Sequence, residues 1–83
     1  MKVLYFAWLR AKVGMGQEDV VPPDTVRDVA SLLDWLKDRS PKHAEALANP
    51  AVVKVAVNQE YAAPDTAVKA GDEVALFPPV TGG

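Results

Sequence analysis

The residues best suited to chemistry lie at the C-terminus of this 83-residue chain, which reads Phe-Pro-Pro-Val-Thr-Gly-Gly from residue 77 to residue 83. Pro78 and Pro79 favour an extended, stiff backbone, because the proline ring fixes φ and removes an amide donor. Gly82 and Gly83 then supply backbone without side chains, which fits a narrow channel. Residues 78–83 span about 20 Å when extended. The pattern predicts that the Gly83 carboxylate reaches into another protein while the globular part stays outside.

Other side chains that usually carry chemistry are scarce. The chain has no cysteine, which excludes a disulfide framework, a thiol nucleophile, an iron–sulfur cluster and a zinc site with thiolate ligands. It has a single histidine, His43, which we expect to be solvated and to bind no metal. The aspartates around the central helix are interpreted as a solvated acidic face: Asp24, Asp28, Asp34 and Asp38. We therefore expect no metal and no permanently bound cofactor.

Length and charge narrow the class of protein further. A chain of this size buries only about 60% of its unfolded surface, which leaves no room for an enclosed active site of its own. The formal net charge of −2 argues against a nucleic-acid partner. No apolar run approaches the roughly 20 residues that span a bilayer, and the first residues lack the pattern of a secretory signal. We expect a cytoplasmic protein with no membrane or nucleic-acid partner.

Hydrophobic periodicity predicts strands near both ends of the chain and helices between them. The predicted elements are a strand at 3–9, a turn at 14–16, a strand at 18–21, a helix from 25 to about 39, a short helix at 41–48, a strand at 53–57, a further short strand and a strand at 73–77. Thr25 and Ser40 are the expected N-caps of the two helices. The first two strands are expected to form an opening hairpin.

An opening hairpin, one long helix and further strands place that helix on one face of a mixed sheet. The predicted fold class is therefore α+β with the β-grasp, or ubiquitin-like, arrangement. It has four to five strands, one long helix on one face and a second short helix. We expect a β-grasp domain over residues 1–77 and an extended, flexible tail over residues 78–83.

The other face of this sheet has no predicted helix to cover it. If Tyr5 points toward the helix, strand alternation places Phe6, Trp8 and Phe77 on the uncovered face, and Tyr61 is expected beside them. An uncovered aromatic patch is typical of a surface that binds a partner. A register shift of one residue exchanges the two faces and makes Phe6 and Phe77 core residues, so both assignments stay open.

Several segments together form a recognisable pattern: Lys2 to Ala7 with Arg10 after it, Val57-Asn58-Gln59, Ala70 to Ala75, and Phe77 to Gly83. In these segments the chain resembles the small, sulfur-carrying subunit of molybdopterin synthase, and the likeness extends over essentially its full length. The most specific part is Gly-Asp-Glu-Val at 71–74, followed within a few residues by the terminal Phe-Pro-Pro-Val-Thr-Gly-Gly. Gly-Gly alone is shared with ubiquitin-like proteins generally.

The resemblance implies a chain that is not an enzyme on its own but is the sulfur-donating subunit of one. An E1-like activating enzyme adenylates the Gly83 carboxylate with ATP, and a sulfur donor converts it to a thiocarboxylate. The large subunit then supplies the acid and base groups while a cyclic pyranopterin monophosphate precursor takes the sulfur. Two such transfers build the dithiolene that later holds molybdenum. The residues implied to insert into the large subunit with Gly83 are Pro78, Pro79, Val80, Thr81 and Gly82.

The resemblance also implies where partners bind. Phe6, Tyr61 and Phe77 are expected in the docking patch for the large subunit, and Arg10 near the contact surface of the activating enzyme. The implied assembly is a heterotetramer of two small and two large subunits.

Other functions stay open at this point. A ubiquitin-like protein modifier uses the same adenylation but joins Gly83 to lysine side chains. A sulfur carrier for thiamine synthesis or tRNA thiolation uses the same thiocarboxylate, although thiamine-pathway carriers are usually shorter and lack the second short helix. An interaction domain with an incidental Gly-Gly terminus is the remaining alternative.

Overall fold

The computed structural model describes residues 1–79, so Val80, Thr81, Gly82 and Gly83 lie outside the described residues. The described part folds into five strands and three α-helices. In chain order these are β1 (Lys2–Tyr5), α1 (Ala7–Val13), β2 (Gln17–Asp19), α2 (Val29–Lys37), α3 (Pro41–Ala46), a 3-10 turn at Pro50–Val52, β3 (Lys54–Val57), β4 (Glu60–Tyr61) and β5 (Glu73–Phe77). Over residues 1–79, every helix is too short or too polar to cross a membrane.

The strands form one mixed sheet in the order β2-β1-β5-β3-β4. β1 and β5 pair in parallel at its centre, and the remaining pairs are antiparallel. The predicted α+β class with the β-grasp arrangement is confirmed. The last strand therefore lies between two others, hydrogen-bonded on both sides, where it anchors the C-terminal segment firmly.

The core lies between one face of the sheet and the three helices. The inner strands contribute alternate side chains: Val3, Tyr5, Val55, Val57, Val74 and Leu76. The helices contribute Leu9, Val13, Val29, Leu32, Leu36 and Ala46. Full burial of one such large apolar side chain stabilises the fold by about 1.5–3 kcal/mol. On β5, Val74 and Leu76 are buried and Phe77 is half-buried, so Phe77 lies on the uncovered face and the reversed assignment is wrong.

The first strand is shorter than predicted. β1 ends at Tyr5, and residues 7–13 form helix α1, whose Leu9 and Val13 are buried one turn apart. A short apolar run fits a strand or a buried helix equally well, which is why periodicity misassigned it. Ala7 makes the change of direction with φ at 54°, a left-handed conformation that costs an L-residue about 1–2 kcal/mol.

The predicted opening hairpin is therefore wrong in its connection. β1 and β2 do pair antiparallel, with Val3 opposite Glu18, but α1 lies between them in the chain. Trp8, which was predicted to lie on a strand, is on this helix. Gly14 ends α1 in the left-handed conformation at φ 89°, where its amide donates to the Arg10 carbonyl at 2.9 Å.

The caps of the other helices were predicted with mixed success. Helix α2 begins after Asp28, not Thr25, because Asp28 accepts a 2.8 Å hydrogen bond from the Ser31 amide and forms a capping box with that residue. Asp28 is thus a cap and not simply part of a solvated acidic face. For α3, the predicted Ser40 cap is confirmed by the 3.2 Å bond that its hydroxyl accepts from the His43 amide.

Candidate functional site

The candidate site begins with the sheet face that points away from α1, α2 and α3, which we call the open face. One row of residues crosses it from β2 to β4: Gln17, Leu4, Ala75, Ala56 and Tyr61. The three central side chains of this row are half-buried, while Tyr61 is 82% exposed. No helix of residues 1–79 has its buried side chains packed on this face. From Leu4 to Tyr61 the row is an apolar strip that a partner can cover.

Aromatic side chains enlarge this strip at the end of the sheet where β5 finishes. Tyr61 and Phe77 stack at a tilt of 54° with ring centroids 5.9 Å apart, and with Ala56 and Gln59 they line a shallow hollow. Phe6 follows the Tyr5–Leu76 pair of the β1–β5 ladder and is 48% exposed. The structure therefore brings Phe6, Tyr61 and Phe77 to one face, as the sequence predicted. Their role in binding stays a prediction.

The position of Tyr61 depends on a tight turn between β3 and β4. Asn58 and Gln59 have φ of 51° and 71°, the left-handed pair that a two-residue hairpin of this hand requires. The Asn58 side chain donates to Asp72 Oδ1 at 3.1 Å and accepts from the Glu73 amide at 3.0 Å. The hydrogen bond from Asn58 lowers the pKa of Asp72, with further help from the Lys69 amide and charge. The turn that carries Tyr61 is thus tied to the start of β5.

The C-terminal segment leaves the sheet next to these aromatic rings. Phe77 pairs with Lys54 on one side of β5, and the Phe6 amide donates to the Leu76 carbonyl at 3.1 Å on the other. Pro78 and Pro79 follow immediately and are half-buried. β5 is therefore paired with a neighbour along both of its edges up to the point where the prolines begin. The remaining predicted tail residues, Val80 to Gly83, lie outside the described part of the chain.

Arg10, the fourth predicted partner contact, lies apart from the open face. It is exposed on α1, and its guanidinium covers Gly16, where a Cβ would stand 3.2 Å from both Cζ and Nε. Gly16 precedes β2 and shares the helix side of the sheet with Glu18 by strand alternation. The structure thus brings the three aromatic residues together and places Arg10 on a different side. An activating enzyme that contacts Arg10 would therefore bind a surface other than the open face.

The helix side of the sheet carries a polar cluster that the sequence did not predict. Glu18 receives a hydrogen bond from the Tyr5 hydroxyl at 2.7 Å and one from His43 Nε2 at 2.7 Å, and it pairs with Arg39 at 3.1 Å. Ser40 Oγ lies 2.7 Å from His43 Nδ1. His43 is only 5% exposed, so its predicted solvation is wrong. We call these five residues the Glu18 cluster.

The cluster joins the edge strand β2 to helix α3 and shifts two ionisation equilibria. Burial raises the pKa of Glu18, but the hydrogen bonds from His43 and Tyr5 and the charges of His43 and Arg39 outweigh it, so the pKa is held below its usual value. Burial, together with the hydrogen bond to Glu18 and its charge, raises the pKa of Tyr5 far above its usual value. Every buried side-chain nitrogen and oxygen of residues 1–79 has a partner, which makes this cluster a closed structural unit.

One sequence signal pointed to this arrangement. Ser40 and His43 stand three residues apart at a helix start, a spacing that turns the histidine back toward the cap. Glu18, on the short edge strand β2, is the partner of this histidine, and no local pattern in the sequence links the two. Residues 1–79 contain no group of three or more acidic or histidine side chains that could hold a metal ion. The contacts of the Glu18 cluster join elements of the fold to one another, and the open face with the C-terminal segment is the candidate functional site.

Known proteins resemble this chain over nearly its whole length. The chain matches the model of the ThiS family over residues 3–83. The molybdopterin synthase sulfur carrier subunit of Escherichia coli K12 is 39% identical over 83 residues, covering 100% of this chain and 99% of that protein. The subunit of the same name from Haemophilus influenzae is 37% identical over 87 residues, with 100% and 99% covered.

Solved structures share the fold. A putative molybdopterin converting factor subunit 1 from Pyrococcus furiosus superposes with a TM-score of 0.79 at 32% identity, covering 95% of each chain. SAMP1 from Haloferax volcanii gives 0.77 at 35% identity, covering 100% of this chain and 98% of that one. A chain from the Helicobacter pylori complex of subunits 1 and 2 of molybdopterin-converting factor has the same fold, with a TM-score of 0.63 at 24% identity over 99% and 96% of the chains. The chain therefore belongs to the ThiS family, among the molybdopterin synthase sulfur carrier subunits.

Proposed function

We propose that this chain carries sulfur as a thiocarboxylate on Gly83 and delivers it inside the large subunit of a molybdopterin synthase. The observation that supports this most is the position of β5. This strand is paired on both sides, ends at Phe77 beside Tyr61, and is followed directly by Pro-Pro and the Gly-Gly terminus. A docked open face would thus set a fixed origin for the segment that bears the reactive group.

The chemistry needs little from the carrier itself. The Gly83 carboxylate attacks the α-phosphorus of ATP and releases pyrophosphate, which turns a poor electrophile into an acyl adenylate. A sulfide-equivalent donor then adds to the acyl carbon, and AMP leaves. Both steps take place in an E1-like activating enzyme. Glycine suits the terminal position because a Cβ would crowd the acyl carbon.

Delivery follows in the large subunit. The thiocarboxylate sulfur bonds to a carbon of the cyclic pyranopterin monophosphate precursor as an oxygen substituent leaves that carbon, protonated as it departs. Water then cleaves the acyl–sulfur bond, which leaves the sulfur on the pterin and restores the Gly83 carboxylate. Phe77, Pro78 and Pro79 offer no titratable group, so the large subunit supplies the general acid and base and the catalytic pocket. The carrier contributes the nucleophilic sulfur without any cysteine.

The partners follow from the same proposal. The names of the relatives describe a subunit, and the Helicobacter pylori relative was solved together with subunit 2. We assign docking of the large subunit to Phe6, Tyr61 and Phe77, and contact with the activating enzyme to Arg10. The assembly proposed is two small and two large subunits, in the cytoplasm, where ATP is available to the activating enzyme.

A ubiquitin-like modifier is the second candidate. The chain is also 35% identical to SAMP1, the small archaeal modifier protein 1 of Haloferax volcanii, whose fold it shares. Both functions activate Gly83 with ATP and differ in what the activated acyl group meets. A modifier joins its terminus to lysine amines, whereas a carrier joins it to sulfur. Sulfur carriage for thiamine synthesis or tRNA thiolation differs only in the final acceptor.

Mass spectrometry of the intact chain separates the candidates. The protein is incubated with the activating enzyme of the same organism, ATP and a sulfur donor, and a reaction without ATP is the control. A carrier shows an ATP-dependent exchange of one oxygen for sulfur on Gly83, and the product forms dithiolene when the large subunit and precursor are added. Lysine adducts without sulfur at the terminus would contradict the carrier function, and dithiolene formation separates this pathway from the other sulfur pathways.

A further inference from the structure

The corner between β1 and α1 changes direction within a few residues. Tyr5 is 1% exposed on the helix side, Phe6 is 48% exposed on the open face, and Leu9 is again fully buried. Hydrogen bonds fix Phe6 on both sides, because its amide donates to the Leu76 carbonyl at 3.1 Å and its carbonyl accepts from the Leu9 amide at 3.2 Å. The exposed ring of Phe6 is therefore carried by a backbone that is tightly held.

Ala7 makes this corner in a conformation that alanine disfavours. Its φ of 54° lies in the left-handed region, which glycine enters freely and a residue with a Cβ does not. The other non-glycine residues of 1–79 in this region are Asn58 and Gln59, where the hairpin turn explains it. Ala7 is exposed, so packing of its own side chain does not explain the strain. Strained residues of this kind concentrate at functional positions.

We propose that Ala7 is a positioning residue: its strained left-handed corner holds the Phe6 ring in the orientation that docks on the large subunit. This inference rests on the proposed docking of the open face. A Cβ at residue 7 confines the corner to one narrow left-handed well once the ladder and the helix are formed. Glycine would widen that well and let the corner, and with it the Phe6 ring, fluctuate more within the folded chain. A ring that is ordered before binding loses less conformational freedom when it docks.

The experiment measures the dissociation constant between the full chain and the large synthase subunit of the same organism. The variants are Ala7→Gly, Phe6→Ala, the double variant, and Ala7→Asn. Ala7→Gly is expected to bind about threefold to tenfold more weakly, the range for freeing one side chain that must be immobilised on binding. Its melting temperature should stay within about 3 °C of the parent, because relief of strain and the larger entropy of the unfolded glycine chain oppose each other.

Two comparisons isolate the positioning role. In the Phe6→Ala background, Ala7→Gly should cause no further loss, since the ring that it positions is gone. Ala7→Asn should bind like the parent, because asparagine tolerates the left-handed region, and the exposed site has room for its side chain. In the free protein, Ala7→Gly should also lower the NMR order parameter of the Phe6 amide, a readout that does not need the partner.

The outcomes distinguish a failure of the docking proposal from a failure of the role of Ala7. A parent chain that does not bind the large subunit overturns the docking proposal and the role of Ala7 with it. A parent that binds, with Ala7→Gly binding equally well or losing the same factor with and without the Phe6 ring, overturns the role of Ala7 alone. An unchanged order parameter of the Phe6 amide in Ala7→Gly has the same consequence.

Discussion

The same strands build both faces of the sheet, but helices cover one face and leave the other uncovered within residues 1–79. On the helix side, Val74 and Leu76 are fully buried, and the Glu18 cluster closes the edge with each of its buried side-chain nitrogens and oxygens paired. On the open face, Phe77 and Tyr61 contact each other, and they belong to the surface proposed to dock on the large subunit. Alternation along one strand thus separates core residues from residues proposed to bind the large subunit. Neighbouring residues such as Leu76 and Phe77 can be tested for one property with little effect on the other.

The largest expected effect lies beyond both faces. Deleting Gly82 and Gly83 should abolish dithiolene formation, because the group that carries sulfur is lost. The melting temperature should match that of the full chain, since β5 ends at Phe77 and the core residues found within 1–79 all precede it. The measurement is dithiolene formed in a reconstituted synthase, beside a thermal unfolding curve. Activity of the truncated chain above background would show that the terminus is not the carrier group.

Substitution on the helix side should act on stability. Leu76 is fully buried in the central strand, so Leu76→Ala should lower the free energy of unfolding by about 2–5 kcal/mol. Urea unfolding monitored by tryptophan fluorescence gives the value. A loss well below that range would mean that the core near β5 collapses around the missing side chain.

The adjacent substitution on the open face is the matched comparison. Phe77→Ala should weaken binding to the large subunit by about 30-fold or more, the effect of removing a central aromatic anchor. Its free energy of unfolding should fall by less than half of the loss in Leu76→Ala, because the ring is only half-buried in the free chain. Binding that is unchanged in Phe77→Ala would remove this residue from the docking surface.

The Glu18 cluster should make the stability of the fold depend on pH. The pKa of Glu18 is lowered in the folded chain, so its contribution to stability is present above the unfolded pKa of about 4.3 and is lost as pH falls through the lower folded value. Glu18→Gln should cost about 1–3 kcal/mol at pH 7 and flatten the fall in stability on acidification. Glu60→Gln, on the exposed edge strand β4, is the control and should keep the slope of the parent. Equal slopes in parent and Glu18→Gln would show that Glu18 does not govern acid stability.

The smallest effect on stability is expected for an ion pair in which both charged groups are exposed to solvent. Lys12 and Glu45 join α1 to α3 at 3.2 Å, with side chains 43% and 70% exposed. Lys12→Ala should change the free energy of unfolding by less than about 1 kcal/mol, since solvent and salt screen such pairs. The same urea titration measures it, and a loss that rivals Leu76→Ala would contradict the assignment of stability to the buried face.

The sequence predicted the parts of the fold that local signals determine. Ser40 before Pro41 marked a helix start, and two prolines after Phe77 marked the end of β5. Alternation separated the two faces of β5, and the structure decided which of them is buried. It failed where two structures fit one local pattern, as in the apolar run after Tyr5 that contains α1. It also failed for His43, because the partner that buries this side chain, Glu18, is 25 residues away in the chain. Contacts of that kind follow from the fold and not from neighbouring residues.

The most direct test follows the sulfur atom itself. The chain is converted to the thiocarboxylate with isotopically labelled sulfur, purified away from the activating enzyme and ATP, and mixed with the large subunit and the precursor in a single turnover. We predict that the label moves from Gly83 to the dithiolene product in proportion to the carrier consumed, and that Phe77→Ala slows this transfer. Label that stays on the chain, or that appears on lysine-linked adducts without reaching the pterin, would contradict sulfur delivery by the C-terminus.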